Sequence, residues 1–141
     1  MNVLNVPEPD FMQDEEIRLF EQGVERFFRD HATPEANKRW RENGVVDRDM
    51  WLKAGEAGLC GVSVPVEYGG GGGDFRHELV LMRQQGWQNV EGFGLSLHNA
   101  IVAPYVVHYG SEEQKRRWLP GICTGELVTA IAMTEPGAGS D

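Results

Sequence analysis

Apolar residues at Ile17, Phe20, Val24, Phe27 and Phe28 recur every three or four positions, and nothing else in the 141 residues restricts the fold as strongly. That spacing lines one side of an α-helix, so a second layer must cover it. Asp14 precedes the run, and Glu15 and Glu16 suit the positive end of the helix dipole. The helix is predicted to stop by Thr33-Pro34, because a residue before proline is pushed out of the α region.

The same punctuation divides the rest of the chain. A charged connector is expected after Pro34, then a helix capped by Asp47 that turns Met50, Trp51 and Ala54 inward and stops at Gly58. Residues 60–74 are too rich in Pro and Gly for a helix and read as a flexible turn around five consecutive glycines. A third helix is predicted over 75–89, capped by Asp74, with Leu79, Met82 and Gly86 on its inner side. Residues 95–109 are apolar nearly all round and predict a helix at the centre of the core. Ser111 and Gln114 have capping-box spacing for a short helix ended by Pro120-Gly121. Residues 127–133 suit a β-strand, for which no partner strand is visible.

Bulk properties exclude several functions. Asp+Glu 22 against Lys+Arg 13 gives a formal charge of -9, which repels a phosphate backbone and argues against nucleic acid as a partner. Cys60 and Cys123 form neither a CxxC pair nor a framework, so two free thiols in a reducing compartment are expected. The first ten residues are acidic and contain Pro7 and Pro9, without the basic, apolar character of a targeting sequence, and the expectation is cytoplasmic. The most apolar stretch, 95–107, falls short of the roughly 20 residues needed to cross a bilayer and is interrupted by Pro104, so no membrane association is expected.

Residues 131–141 carry the most chemistry. Glu135 precedes Pro136 and stays extended, while Gly137 and Gly139 leave the backbone open to a close ligand. Thr134 and Ser140 add hydroxyls that donate and accept. Such an edge suits a flat heterocycle with alternating donors and acceptors on its rim, although an extended segment running into Pro-Gly is also an ordinary surface turn.

Three motifs in order, Tyr68-Gly-Gly-Gly-Gly72, Gly110-Ser-Glu-Glu-Gln-Lys-Arg-Arg-Trp-Leu-Pro120 and Ala132-Met-Thr-Glu-Pro-Gly-Ala-Gly-Ser-Asp141, resemble the N-terminal half of the acyl-CoA dehydrogenase family. The resemblance runs from about Glu15 to the end, and residues 92–109 lean toward the long-chain-type members. It implies an all-α N-terminal helical bundle domain that ends in the first strand of a β-barrel domain. The implied division is an arm at 1–13, a helical domain at 14–125 and a first strand and turn at 126–141. It also implies an FAD-dependent oxidoreductase of fatty acid β-oxidation that turns acyl-CoA thioesters into trans-2-enoyl-CoA, with electron transfer flavoprotein as acceptor and a homo-oligomeric full-length form. The alternatives are an acyl-CoA oxidase, which passes electrons to oxygen, and a non-catalytic helical interaction module.

Carried over by position, the resemblance places Ile131, Ala132, Met133 and Thr134 against the flavin, with Gly139 and Ser140 closing that segment and Ser140 also touching the acyl-CoA. The family's catalytic glutamate has no counterpart here, so the chain alone is expected to be inactive. Glu126 and Glu135 are not promoted in its place, since nothing sets either beside a substrate carbon. The glycine run lacks the Lys-Ser/Thr of a phosphate loop, and it has extra glycine compared with the family's Tyr-Gly-Gly turn. His31, His77, His98 and His108 show no metal-ligand spacing, and no metal is expected; His98 reads as a satisfied buried imidazole. Trp40, Trp51, Trp87 and Trp118 read as packing residues.

Overall fold

The computed structural model describes residues 7–139. A short 3-10 turn, Asp10–Gln13, leads into α1 (Glu15–His31), which buries Ile17, Val24, Phe27 and Phe28 and keeps Phe20 against the core. The acids of its first turn and Arg29 and His31 in its last complement the dipole at both ends. Helix α1 ends at His31, two residues before Thr33 and within the limit the sequence sets.

The expected charged connector is instead a helix, α2 (Pro34–Asn43). Thr33 Oγ1 accepts the Ala36 N–H at 3.2 Å and Pro34 sits at the first helical position, so the pair that ends one helix starts the next. Only Ala36, Asn37 and Trp40 turn inward from it. Helix α3 (Arg48–Glu56) buries Met50, Trp51 and Ala54 as expected, but Asp47 does not cap it through its side chain. The Asp47 carboxylate is held by Arg39 instead, which keeps its pKa below the usual carboxylate value.

Helix α4 (Phe75–Trp87) packs along α1 and opens with a capping box in which Asp74 Oδ1 accepts the Arg76 N–H at 2.9 Å and His77 Nδ1 accepts the Asp74 N–H at 3.1 Å. Its inner face is His77, Glu78, Val80, Leu81 and Gln84, rotated from the expected Leu79, Met82 and Gly86, of which Gly86 is exposed. Three polar residues on the buried side, His77, Glu78 and Gln84, obscured the phase.

Residues 95–109 are not one apolar rod at the core's centre. Helix α5 (Leu95–Leu97) passes into a π-helical turn, His98–Val102, and then α6 (Ala103–Tyr109). The wider turn lies where Pro104, lacking an N–H, cannot bond the carbonyl four residues back, and the Ala103 N–H reaches His98 O across it. Leu95, His98, Asn99 and Ala103 face inward, while Ile101, Tyr105 and Tyr109 face solvent.

Helix α7 (Glu112–Cys123) starts at the expected capping box, with the Ser111 N–H on Gln114 Oε1 at 2.8 Å and the Gln114 N–H on Ser111 Oγ at 3.3 Å. It does not end at Pro120-Gly121. Leu119, Ile122 and Cys123 are all buried, and that burial outweighs the single hydrogen bond lost at Pro120.

Residues 127–133 form no strand. They are extended coil, because a strand needs a neighbour to take its ladder hydrogen bonds and none lies among the described residues. Nor is the glycine run a flexible turn. Its amides at Gly71, Gly72 and Gly73 donate to the carbonyls of Gly61, Val64 and Val62 at 2.9 to 3.1 Å, so they point into the loop and away from any phosphate. Side chains have no room: a Cβ on Gly70 would lie 2.2 Å from Val64 O. Cys60 and Cys123 are free and buried, and burial pushes their thiols up to about 12 and about 11. Among the described residues no helix is long and apolar enough to cross a membrane.

Candidate functional site

The segment that leaves α7 is tied down at its base and open beyond it. Arg48 of α3 donates Nη1 to Gly125 O at 2.6 Å and Nη2 to Glu126 O, and the Leu127 N–H reaches Gly121 O at 2.8 Å. Two residues on, Thr129 meets His98. Its N–H and hydroxyl lie 3.3 and 3.0 Å from Nδ1, while Nε2 lies 3.0 Å from Ile122 O. His98 is completely buried against Trp51, and burial lowers its pKa so that the imidazole stays neutral at pH 7. The sequence expectation of a satisfied buried imidazole therefore holds.

Among the described residues after Thr129, no backbone hydrogen bond reaches the helices. Ile131 is 39% exposed and Met133 78%, Ala132 and Thr134 are also exposed, and the backbone groups of 131–134 have no hydrogen-bond partner among the described residues. Pro136-Gly137 then makes a tight turn in which the Ala138 N–H returns to Glu135 O at 3.1 Å. Gly139 follows the turn, and Ser140 lies outside the described residues. The geometry brings 131–134 together as a bare extended edge. Glu126 and Glu135 are solvent-exposed.

A polar network that the sequence reading missed supports the other side of the fold. Asn99 Nδ2 donates to Leu59 O at 2.7 Å and its Oδ1 accepts the Gly61 N–H at 2.8 Å. Ser63 Oγ donates to Glu78 Oε1 at 2.7 Å, and Glu78, 2% exposed, lines a cavity of about 340 Å³ with Val64, Phe75 and Pro104. A lone asparagine inside an apolar helical run was the available signal for this network, since a buried amide must find partners.

Burial raises the Glu78 pKa, with hydrogen bonds from Ser63 and Asn99 opposing the shift. A folded-state pKa above the unfolded value contributes stability at low pH that is lost as pH rises through it. Glu78→Gln removes that loss, so the variant is expected to gain on wild type between pH 4 and pH 7. Urea unfolding of both proteins at the two pH values measures it, and a Gln variant that falls further behind at pH 7 contradicts the burial argument.

The family model of the acyl-CoA dehydrogenase N-terminal domain matches residues 14–126. The chain belongs to the acyl-CoA dehydrogenase family. The pig (Sus scrofa) mitochondrial long-chain specific acyl-CoA dehydrogenase is 42% identical over 123 residues, 87% of this chain and 28% of that protein. The crystal structure of acyl-CoA dehydrogenase from Geobacillus kaustophilus superposes with a TM-score of 0.84 at 44% identity, covering 90% of this chain and 33% of its own. An acyl-CoA dehydrogenase complexed with FAD from Bacillus anthracis superposes with a TM-score of 0.79 at 30% identity, over 95% of this chain and 23% of its own. The helical architecture is thus that of the acyl-CoA dehydrogenase N-terminal domain, and the chain spans under a third of the curated relative's length.

Proposed function

We propose that this chain is the N-terminal helical part of an FAD-dependent acyl-CoA dehydrogenase that introduces a 2,3-double bond into acyl-CoA thioesters. The observation that carries the reading is the edge at 131–134: exposed, without backbone partners among the described residues, and anchored just upstream in a member of this family. A flat heterocycle fits such an edge. Backbone groups of Ile131, Ala132 and Met133 and the Thr134 hydroxyl would hold its rim, and Gly139 and Ser140 would close the segment, with Ser140 also reaching the acyl-CoA. When bound, the flavin supplies the hydride acceptor, and the protein's share is to hold and align. The residues here hold one edge and exclude water from one side; none acts as the base.

Electron transfer flavoprotein is the acceptor in this reading, and the full-length protein is a homo-oligomer. Two buried free thiols suit a reducing compartment, and the reading keeps the cytoplasm as the place of action.

One edge of a cofactor site retains little cofactor, so residues 1–141 are expected to emerge from gel filtration without FAD. A longer polypeptide that adds the remaining family domains is expected to retain FAD and to bleach on adding acyl-CoA under anaerobic conditions. Tight, stoichiometric FAD on residues 1–141 contradicts the partial-site argument, and a longer polypeptide with neither flavin nor bleaching contradicts the function. Rapid peroxide formation in air would assign an oxidase.

A further inference from the structure

We propose that His98 is a positioning residue that sets the 131–134 edge through an unprotonated Nδ1. The role rests on the flavin reading above, whereas the anchor itself stands on local geometry.

The hydrogen-bond partners dictate the tautomer. Ile122 O only accepts, so the ring nitrogen 3.0 Å from it, Nε2, carries the hydrogen. The Thr129 N–H only donates, so Nδ1, 3.3 Å away, offers its lone pair, and the Thr129 hydroxyl at 3.0 Å donates to the same atom. One fully buried ring thereby joins three pieces of chain: the π-helical turn it belongs to, the last turn of α7, and the extended segment two residues before Ile131. Arg48 clamps that segment earlier, at 125 and 126, leaving the direction of the following residues to the contact at 129. Among the described residues no later hydrogen bond joins the segment to the helices, so His98 is the last point at which the helical body steers it.

Two substitutions separate the two nitrogens. His98→Asn puts a carboxamide oxygen near the position of Nδ1 and can keep the Thr129 contact while giving up Ile122. His98→Gln puts an amide N–H near Nε2 and can keep Ile122 while giving up Thr129. Nitrogen-resolved NMR of the wild-type chain is expected to show a neutral, Nε2-protonated His98, and amide exchange at Thr129 is expected to be about tenfold faster in the Gln variant, the effect of one lost buried hydrogen bond, and near wild type in the Asn variant. An Nδ1-protonated ring overturns the proposal without any variant having to fold, and so does equal exchange in the two variants. In the flavin-loaded longer polypeptide, FAD is expected to dissociate about tenfold faster from the Gln variant than from wild type or the Asn variant; equal rates in all three overturn the positioning role. The NMR arm contains no flavin, so an anchor that passes it beside a longer polypeptide that takes up no FAD locates the failure in the proposed function.

Discussion

Gly125→Ala is expected to lower the unfolding free energy by about 3 kcal/mol, close to the upper end for a single substitution. Gly125 sits at φ +73°, a left-handed conformation that costs a side chain about 1–2 kcal/mol. A Cβ there would also stand 2.1 Å from Trp51 O on α3, so two backbones must separate. The approach is reciprocal, since a Cβ on Gly55 would stand 2.0 Å from Thr124 O. Gly58 supplies the control. Its φ is +70° but a Cβ there would meet nothing within 4 Å, so Gly58→Ala carries only the conformational cost. Urea denaturation of both variants measures the difference, and equal losses would mean that α3 and the turn after α7 do not touch as described.

Asn99→Leu is expected to lose about 2–6 kcal/mol despite its similar size, because it strands two buried backbone groups, Leu59 O and the Gly61 N–H, at about 1–3 kcal/mol each. The loss has a local signature: the Gly61 amide, protected in wild type, exchanges with solvent at a rate that rises more than those of α1. A loss under about 1 kcal/mol with an unchanged Gly61 amide would show that the asparagine does not hold this loop.

The sequence was most legible where one kind of residue lined one face. Helix α1 was predicted closely because its apolar positions are all large and its ends carry the right charges. The Asp74 cap and the capping box at Ser111 were equally readable, being local. Helix α2 was missed because its buried side is only Ala36, Asn37 and Trp40, too sparse for a periodic signal, and because Thr33-Pro34 reads as a stop as readily as a start. In α4 the inward face includes Glu78 and Gln84, so counting apolar residues chose the wrong side, and in the 95–109 stretch the buried side includes His98 and Asn99, so an almost uniformly apolar run did not show that its other side faces solvent. Pro120 stays within a helix through tertiary burial that no local rule registers.

The site was legible in part. The motif at 132–141 singled out one segment of chain, and its described backbone at 131–134 is extended and exposed, as an edge open to a ligand requires. The strand expected there did not form, since its pairing depends on residues distant in sequence. What the sequence could not convey was how that edge is held. The Arg48 clamp spans 77 and 78 positions and the His98 contact 31, and neither leaves a local pattern.

The outward stripe of Ile101, Tyr105 and Tyr109 bears on how this chain behaves at high concentration. Contiguous apolar surface of this kind favours self-association, while a formal charge of -9 keeps molecules apart over a screening distance of about 8 Å at physiological ionic strength. The two tendencies oppose each other, so salt, by shortening the reach of the repulsion, shifts the chain toward clustering without altering its folded state.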